Sequence, residues 1–151
     1  MRQWVKYMQN QAYAPPMKQA ADLLRALADE ERLRILNLLS DEPEGVCVCE
    51  LVDALRMPQY QVSRQLGVLR QADLVEAHKR GNWVYYSIRP DLPPLAAIML
   101  EDLSAHLQSE GGSEDRERFA RRLRLREGGV CSVGYPPETP FREVIPLRGG
   151  R

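Results

Sequence analysis

From Met17 onward the apolar residues fall at Ala20, Leu23, Leu24, Leu27 and Ala28, the spacing that puts one stripe of a 3.6-residue helix against a core. Asp29 is placed to cap a second helix, whose apolar positions are Leu33, Ile35, Leu36, Leu38 and Leu39. The run Asp41-Glu42-Pro43-Glu44-Gly45 is a turn. Val46-Cys47-Val48-Cys49 then alternates like a very short strand, and Glu50 to Leu55 has the 51, 52, 55 pattern of a short helix. After Met57-Pro58 the apolar residues Val62, Leu66 and Leu69 return at i, i+4, i+7, while Gln59, Tyr60, Gln61, Ser63 and Arg64 occupy the other faces. Leu74–Lys79 and Trp83–Ile88 read as two strands around Arg80-Gly81-Asn82. Pro93-Pro94 opens a last helix over 95–108, apolar at Leu95, Ile98, Met99, Leu103 and Leu107.

Two helices joined by a tight turn, the second polar on its outer side and followed by a two-stranded ribbon, predict a mainly α, winged helix-turn-helix fold. The domain occupies residues 17–110. Residues 1–16 form an N-terminal helix or arm, the helix over 3–13 carrying Trp4 and Met8. Residues 111–151 hold an Arg-rich amphipathic stretch, then a Gly- and Pro-rich tail expected to be poorly ordered over 127–151. The helix at 95–108 is too apolar to lie bare on a small domain, which predicts a homodimer.

Formal net charge is zero, which argues against DNA until it is divided by region. Residues 22–53 hold three arginines against nine acids, whereas 54–90 hold six basic residues against two acids. Nucleic-acid affinity follows the charge of the contact face, so double-stranded DNA belongs on the second segment. Ser63 and Arg64 suit phosphates or base edges, Gln59, Gln61 and Gln65 offer amides that match adenine, and Lys79 and Arg80 at the wing suit the backbone.

No apolar run approaches the roughly 20 residues of a membrane span, and the first residues lack the apolar stretch of a secretory signal. The expected compartment is the cytoplasm, where the three cysteines are thiols rather than a disulfide framework. Cys47 and Cys49 are two residues apart and Cys131 lies far off, in Gly128-Gly129-Val130-Cys131-Ser132. Paired cysteines are either small buried hydrophobes or soft-ion ligands, and a helix N-terminus favours the thiolate. A closed zinc site needs four ligands. The histidines, His78 and His106, sit on the wing and the last helix.

The blocks Leu27-Ala28-Asp29-Glu30-Glu31-Arg32-Leu33-Arg34-Ile35, Cys47-Val48-Cys49-Glu50-Leu51, Val62-Ser63-Arg64-Gln65-Leu66 and Gly81-Asn82-Trp83-Val84-Tyr85-Tyr86 together resemble the arsenic-responsive ArsR family of repressors. The resemblance runs from about Ala21 to Leu107. It implies a dimeric repressor without cofactor, released from its operator when arsenite, or antimonite, is captured by Cys47 and Cys49. Archetypal members carry a third cysteine where this chain has Val52, and many carry His where it has Gln65. The third arsenic ligand is therefore either Cys131 or a small external thiol or hydroxide. Side chains at i and i+2 of a helix point about 200° apart, so capture by two cysteines inside one helical turn would unwind that turn. The same fold could also serve as a thiol-based redox or reactive-sulfur sensor, or sense another soft metal. An enzyme is not expected. The Arg that phosphatase-like arsenate reductases place six positions after the cysteine is replaced here by Asp53, Leu55 and Pro137.

Overall fold

The computed structural model describes residues 16–110 and 113–134; the N-terminal helix expected over 3–13 lies outside them. The elements follow in the order α1 (Pro16–Leu27), α2 (Glu30–Asp41), β1 (Val46–Cys47), α3 (Val48–Leu55), α4 (Gln59–Gln71), β2 (Val75–Arg80), β3 (Trp83–Ile88), α5 (Pro94–Glu110) and α6 (Ser113–Leu123).

Local chemistry sets the boundaries. The Asp29 side chain accepts the Arg32 N–H at 3.1 Å and Glu30 and Glu31 stand in the first turn of α2, where carboxylates favour the positive end of the helix. After α2 the chain reverses at Gly45, whose φ of +110° excludes most side chains. An added Cβ there would also lie 2.9 Å from the Tyr85 Cβ. Pro58 precedes α4, a position that needs no N–H from it.

The core is one cluster drawn from all helices of the helix-turn-helix. Ile35 and Leu38 of α2, Leu51 and Ala54 of α3, and Val62, Leu66 and Leu69 of α4 are fully buried. The wing is a three-stranded antiparallel sheet in the order β1-β3-β2. Val75 pairs with Ile88 through to Arg80 with Trp83, and on the other edge Val46 pairs with Tyr86 and Cys47 with Tyr85. The winged helix-turn-helix is thus present, with one addition: β1 fastens the head of α3 to the wing.

The four-residue strand expected at 46–49 is two residues long, because Val48 already begins α3. Residues 113–134 also depart from expectation. Phe119 of α6 is buried in the core, and Asp115 takes two hydrogen bonds from Arg34 of α2, at 2.8 and 2.9 Å. Arg118 Nε donates to the Ala54 carbonyl at 2.6 Å, and Arg34 Nη2 to the Leu55 carbonyl at 2.8 Å. Both are end-of-helix carbonyls of α3 that have no partner within the helix. The Arg-rich stretch is therefore a brace across α3, and residues 127–134 of the expected loose tail are held in place by it.

Candidate metal centre and nucleic-acid interface

Cys47 belongs to β1 by its extended backbone (φ −76°, ψ 154°) yet acts as N-cap of α3, with Cys49 two residues inside the helix. Glu50 secures this break: its Oε2 accepts the Cys47 N–H at 2.9 Å, meeting one of the helix-end donors. The break removes the 200° divergence of a continuous helix, so the two thiols converge without unwinding. That part of the sequence-based mechanism is corrected by the position of Cys47.

The third thiol arrives from the other end of the chain. After α6 the backbone turns through Gly128 and Gly129, both at positive φ, in a tight bridge between Glu127 and Val130. Cys131 is then fixed by its N–H, which donates to Tyr85 Oη at 2.9 Å. Its Sγ lies 3.5 Å from that of Cys49, and the three sulfurs are all within 4.8 Å of one another. Cys47, Cys49 and Cys131 are 1%, 2% and 3% exposed, packed with Tyr85 and the half-buried Trp83.

The surroundings are charged but paired. Arg126 grips Glu50 with Nε at 2.7 Å and Nη2 at 2.8 Å, and Nη2 also reaches the Gly45 carbonyl at 2.9 Å. Arg122 donates to the carbonyls of Val133 and, at 2.6 Å, Gly134. Arg80 and Arg126 lie over the Tyr85 ring, 4.7 and 6.0 Å from its centre. A hydrogen bond from Cys47, with Cys131 and the Arg122 charge alongside, draws Cys49 down from 9.0 to about 6. The same hydrogen bond, reinforced by burial and by Glu50, pushes Cys47 up. Burial and the Cys49 charge push Cys131 up to about 11. Cys49 is thus the most readily ionised thiol of the trio. Among the described residues it is the group of three or more His, Cys, Asp or Glu side chains able to converge on an ion, one donor short of a closed zinc site.

On the DNA side, Gln59, Ser63 and Arg64 are exposed on α4, and Gln61 is half-buried with its amide donating to Glu31. Gln65 is placed differently from the sequence-based reading. It is 5% exposed, accepting from Arg32 Nη1 at 2.9 Å and donating to Glu31 at 2.7 Å. Its helical position turns it toward α2, so its amide is spent inside the domain. Lys79 and Arg80 are exposed on the wing, Arg80 also donating to the Glu44 carbonyl. Sequence reasoning passed over Glu50, Tyr85, Arg122 and Arg126. The one available signal was the i, i+4 pair Phe119 and Leu123, which marks α6 as a helix with a core-facing side.

The family model of bacterial regulatory proteins of the arsR family matches residues 29–77, spanning α2 to β2. The arsenical resistance operon repressor of Escherichia coli is 42% identical over 80 residues, which are 53% of this chain and 68% of that protein. The chain belongs to the ArsR family. An uncharacterized HTH-type transcriptional regulator of Mycobacterium tuberculosis is 35% identical over 120 residues, 78% of this chain and 96% of that one. Among solved structures, reduced HlyU from Vibrio cholerae superposes with a TM-score of 0.53 at 32% identity, over 60% of this chain and 90% of that chain. This ArsR-family protein is accordingly a winged helix-turn-helix transcriptional regulator, and its relatives are regulators rather than enzymes. Among the described residues no helix is long and apolar enough to cross a membrane.

Proposed function

We propose that this ArsR-family protein is a homodimeric repressor that leaves its operator when trivalent arsenic, or antimony, is captured by Cys47, Cys49 and Cys131. The observation that carries the reading is the convergence of three buried thiols from segments 82 residues apart at the head of α3, the first helix of the helix-turn-helix. The likeness to an arsenical resistance operon repressor supports the choice of ion.

The chemistry balances without an oxidant. Arsenous acid and three thiols give a neutral tris-thiolate and three waters: three As–O bonds break, three As–S bonds form, and each thiol proton leaves with a hydroxide. Cys49, the most readily ionised of the three, attacks first; its proton, already lost to solvent, returns to one departing hydroxide, and Cys47 and Cys131 supply the other two. Three sulfurs on one pyramidal ion with bonds of about 2.3 Å lie roughly 3.5 Å apart, so the free trio, spread over 4.8 Å, contracts by about an ångström at its widest. That contraction pulls Cys47 against Cys49 across the strand-to-helix break and draws Tyr85 of the wing along with Cys131. α3 supports α4, and two recognition helices must meet the DNA about one turn apart. A hundredfold loss of operator affinity requires only about 2.7 kcal/mol of coupling.

The dimer rests on α5. Ala96 and Leu100 face the domain, whereas Ile98 is 57% exposed and Leu95, Met99, Leu103 and Leu107 are half-covered. This apolar stripe fits a symmetry mate. DNA is assigned to Gln59, Gln61, Ser63 and Arg64 of α4 and to Lys79 and Arg80 of the wing.

Operator binding titrated with arsenite tests the reading. Cys47→Ser and Cys49→Ser should bind operator like wild type and fail to release. Normal arsenite release from the double variant would overturn it. A second reading, favoured by the 3.5 Å approach of Cys49 and Cys131, is a redox sensor. Peroxide would oxidise Cys49 to a sulfenic acid, with loss of hydroxide, and Cys131 would condense with it, releasing water. Release by peroxide in metal-free buffer would single this reading out.

A further inference from the structure

Between α1 and the start of α5 lies a groove of about 390 Å3, within the range of cavities that hold a large side chain or a small ligand. Leu23 of α1, Leu74 just before β2, and Leu95 and Ala96 of α5 form its floor. Its rim is acidic, because one guanidinium, that of Arg89, serves both Asp73 and Asp91. An apolar floor with an acidic rim suits a segment that carries large apolar and basic side chains and no acids. Pro16 is itself part of the groove wall, so the chain that precedes it starts at the groove. Residues 1–15 lie outside the described ones, and their sequence has the matching character. Trp4, Val5, Tyr7 and Met8 are largely apolar, Arg2 and Lys6 are basic, and no acid is among the fifteen.

We propose that residues 1–15 of the same chain lie in this groove, with Trp4 against Leu23, Leu74 and Leu95, and with Arg2 and Lys6 toward Asp73 and Asp91. Twelve residues separate Trp4 from Pro16, a reach of up to about 40 Å, which allows the return. A segment tied to the groove by so short a link also has a high effective concentration there, an advantage over any separate molecule. The groove walls belong to several elements. Gln71 and Ala72 end α4, Leu74 and Arg89 flank the strands of the wing, and Pro94 opens α5. One docked segment thus fastens the recognition helix and the wing to α5, the helix assigned above to the dimer.

The test uses the full-length protein carrying Trp83→Phe, in which Trp4 is the one tryptophan left, and reads Trp4 emission and its quenching by acrylamide. Burial of the indole in an apolar groove should move the emission to the blue of that in denaturant and slow the quenching about threefold or more. Ala20→Arg puts a long cationic side chain in the groove wall, and Asp91→Lys reverses a charge on its exposed rim; both should return Trp4 toward the denatured values. Circular dichroism establishes that each variant folds, and Asp91→Lys decides the matter should Ala20→Arg not fold. Trp4 quenched in the folded protein as readily as in denaturant, or shielded equally in the variants, would overturn the proposal. Shielding that appears only as protein concentration rises would give the groove to a second copy and overturn it as well. Trp4→Ala should also weaken operator binding several-fold at unchanged arsenite binding, and an operator affinity equal to wild type would overturn the fastening of α4 and the wing. Should wild type bind no operator, the functional reading falls, and the fluorescence still decides what occupies the groove.

Discussion

Replacing Cys131 by serine removes the one sulfur that the helix-turn-helix does not itself supply. A thiol held within 4.8 Å of its two partners has an effective concentration on the order of 3 M, one group per roughly 500 Å3. A soluble thiol at about 1 mM competes for the vacated position some three orders of magnitude less well. Each factor of ten is about 1.4 kcal/mol, so Cys131→Ser should cost about 4 kcal/mol of arsenite binding. The loop-closure entropy between Cys49 and Cys131 does not reduce this figure, because α6 and the Tyr85 hydrogen bond already hold Cys131 in place. Arsenite titrations of wild type and variant, repeated over a range of glutathione, give the assay. The variant's deficit should narrow as glutathione rises, and X-ray absorption should count two protein sulfurs in place of three. An affinity within about threefold of wild type at low external thiol would refute the reasoning.

Three other outcomes are expected. Glu50→Gln leaves the half-buried Arg126 with only Glu42, 3.8 Å away, as a carboxylate partner, costing about 3 kcal/mol and roughly 6–12 °C in thermal midpoint; an unchanged melting curve would contradict the described pairing. Gln65→Ala removes one hydrogen bond each from Glu31 and Arg32, costing about 1–3 kcal/mol, but should leave the base preference of the operator unchanged in a half-site substitution series. Because Cys49 falls from 9.0 to about 6 on folding, its thiolate stabilises the protein fully above 9, and less as pH drops toward 6. The gap in melting temperature between wild type and Cys49→Ser should shrink over that window, and a gap independent of pH would show that no thiolate is present.

The helices that carry core residues at regular spacing could be read directly from the sequence. Leu23 and Leu27, Ile35 and Leu38, and Val62, Leu66 and Leu69 all face inward as their period requires. Cys47 and Cys49 stood out because their block resembles that of the ArsR family, whereas the pair by itself also reads as two small buried hydrophobes. What could not be read is anything fixed by contact between distant segments. Gln65 looked like its neighbours Ser63 and Arg64 because it is polar, although its helical position between Val62 and Leu69 turns it inward; what could not be read is that Glu31 and Arg32 wait there for its amide. The two-residue length of β1 depends on Tyr85 as a pairing partner and on Glu50 reaching back to Cys47. The Arg-rich stretch resembled a solvated surface because six arginines outweigh three acids locally. Their partners, Asp41, Asp53 and Glu50 among them, lie some 70 residues earlier.

The placement of Cys131 beyond the DNA-binding domain gives the chain an unusual division of labour. On the three-thiol reading proposed above, changes confined to residues 113–134 would retune which ion is detected, and how tightly, while the residues assigned to DNA stay as they are. A product that ended before Cys131 would still carry α4 and the wing but would be nearly deaf to its signal. On the proposed dimeric reading, mixing it with full-length copies would give dimers in which one half no longer answers the inducer. Each truncated chain would then compromise the full-length copy it pairs with as well as itself, which ties regulation to this last stretch as well as to the recognition helix.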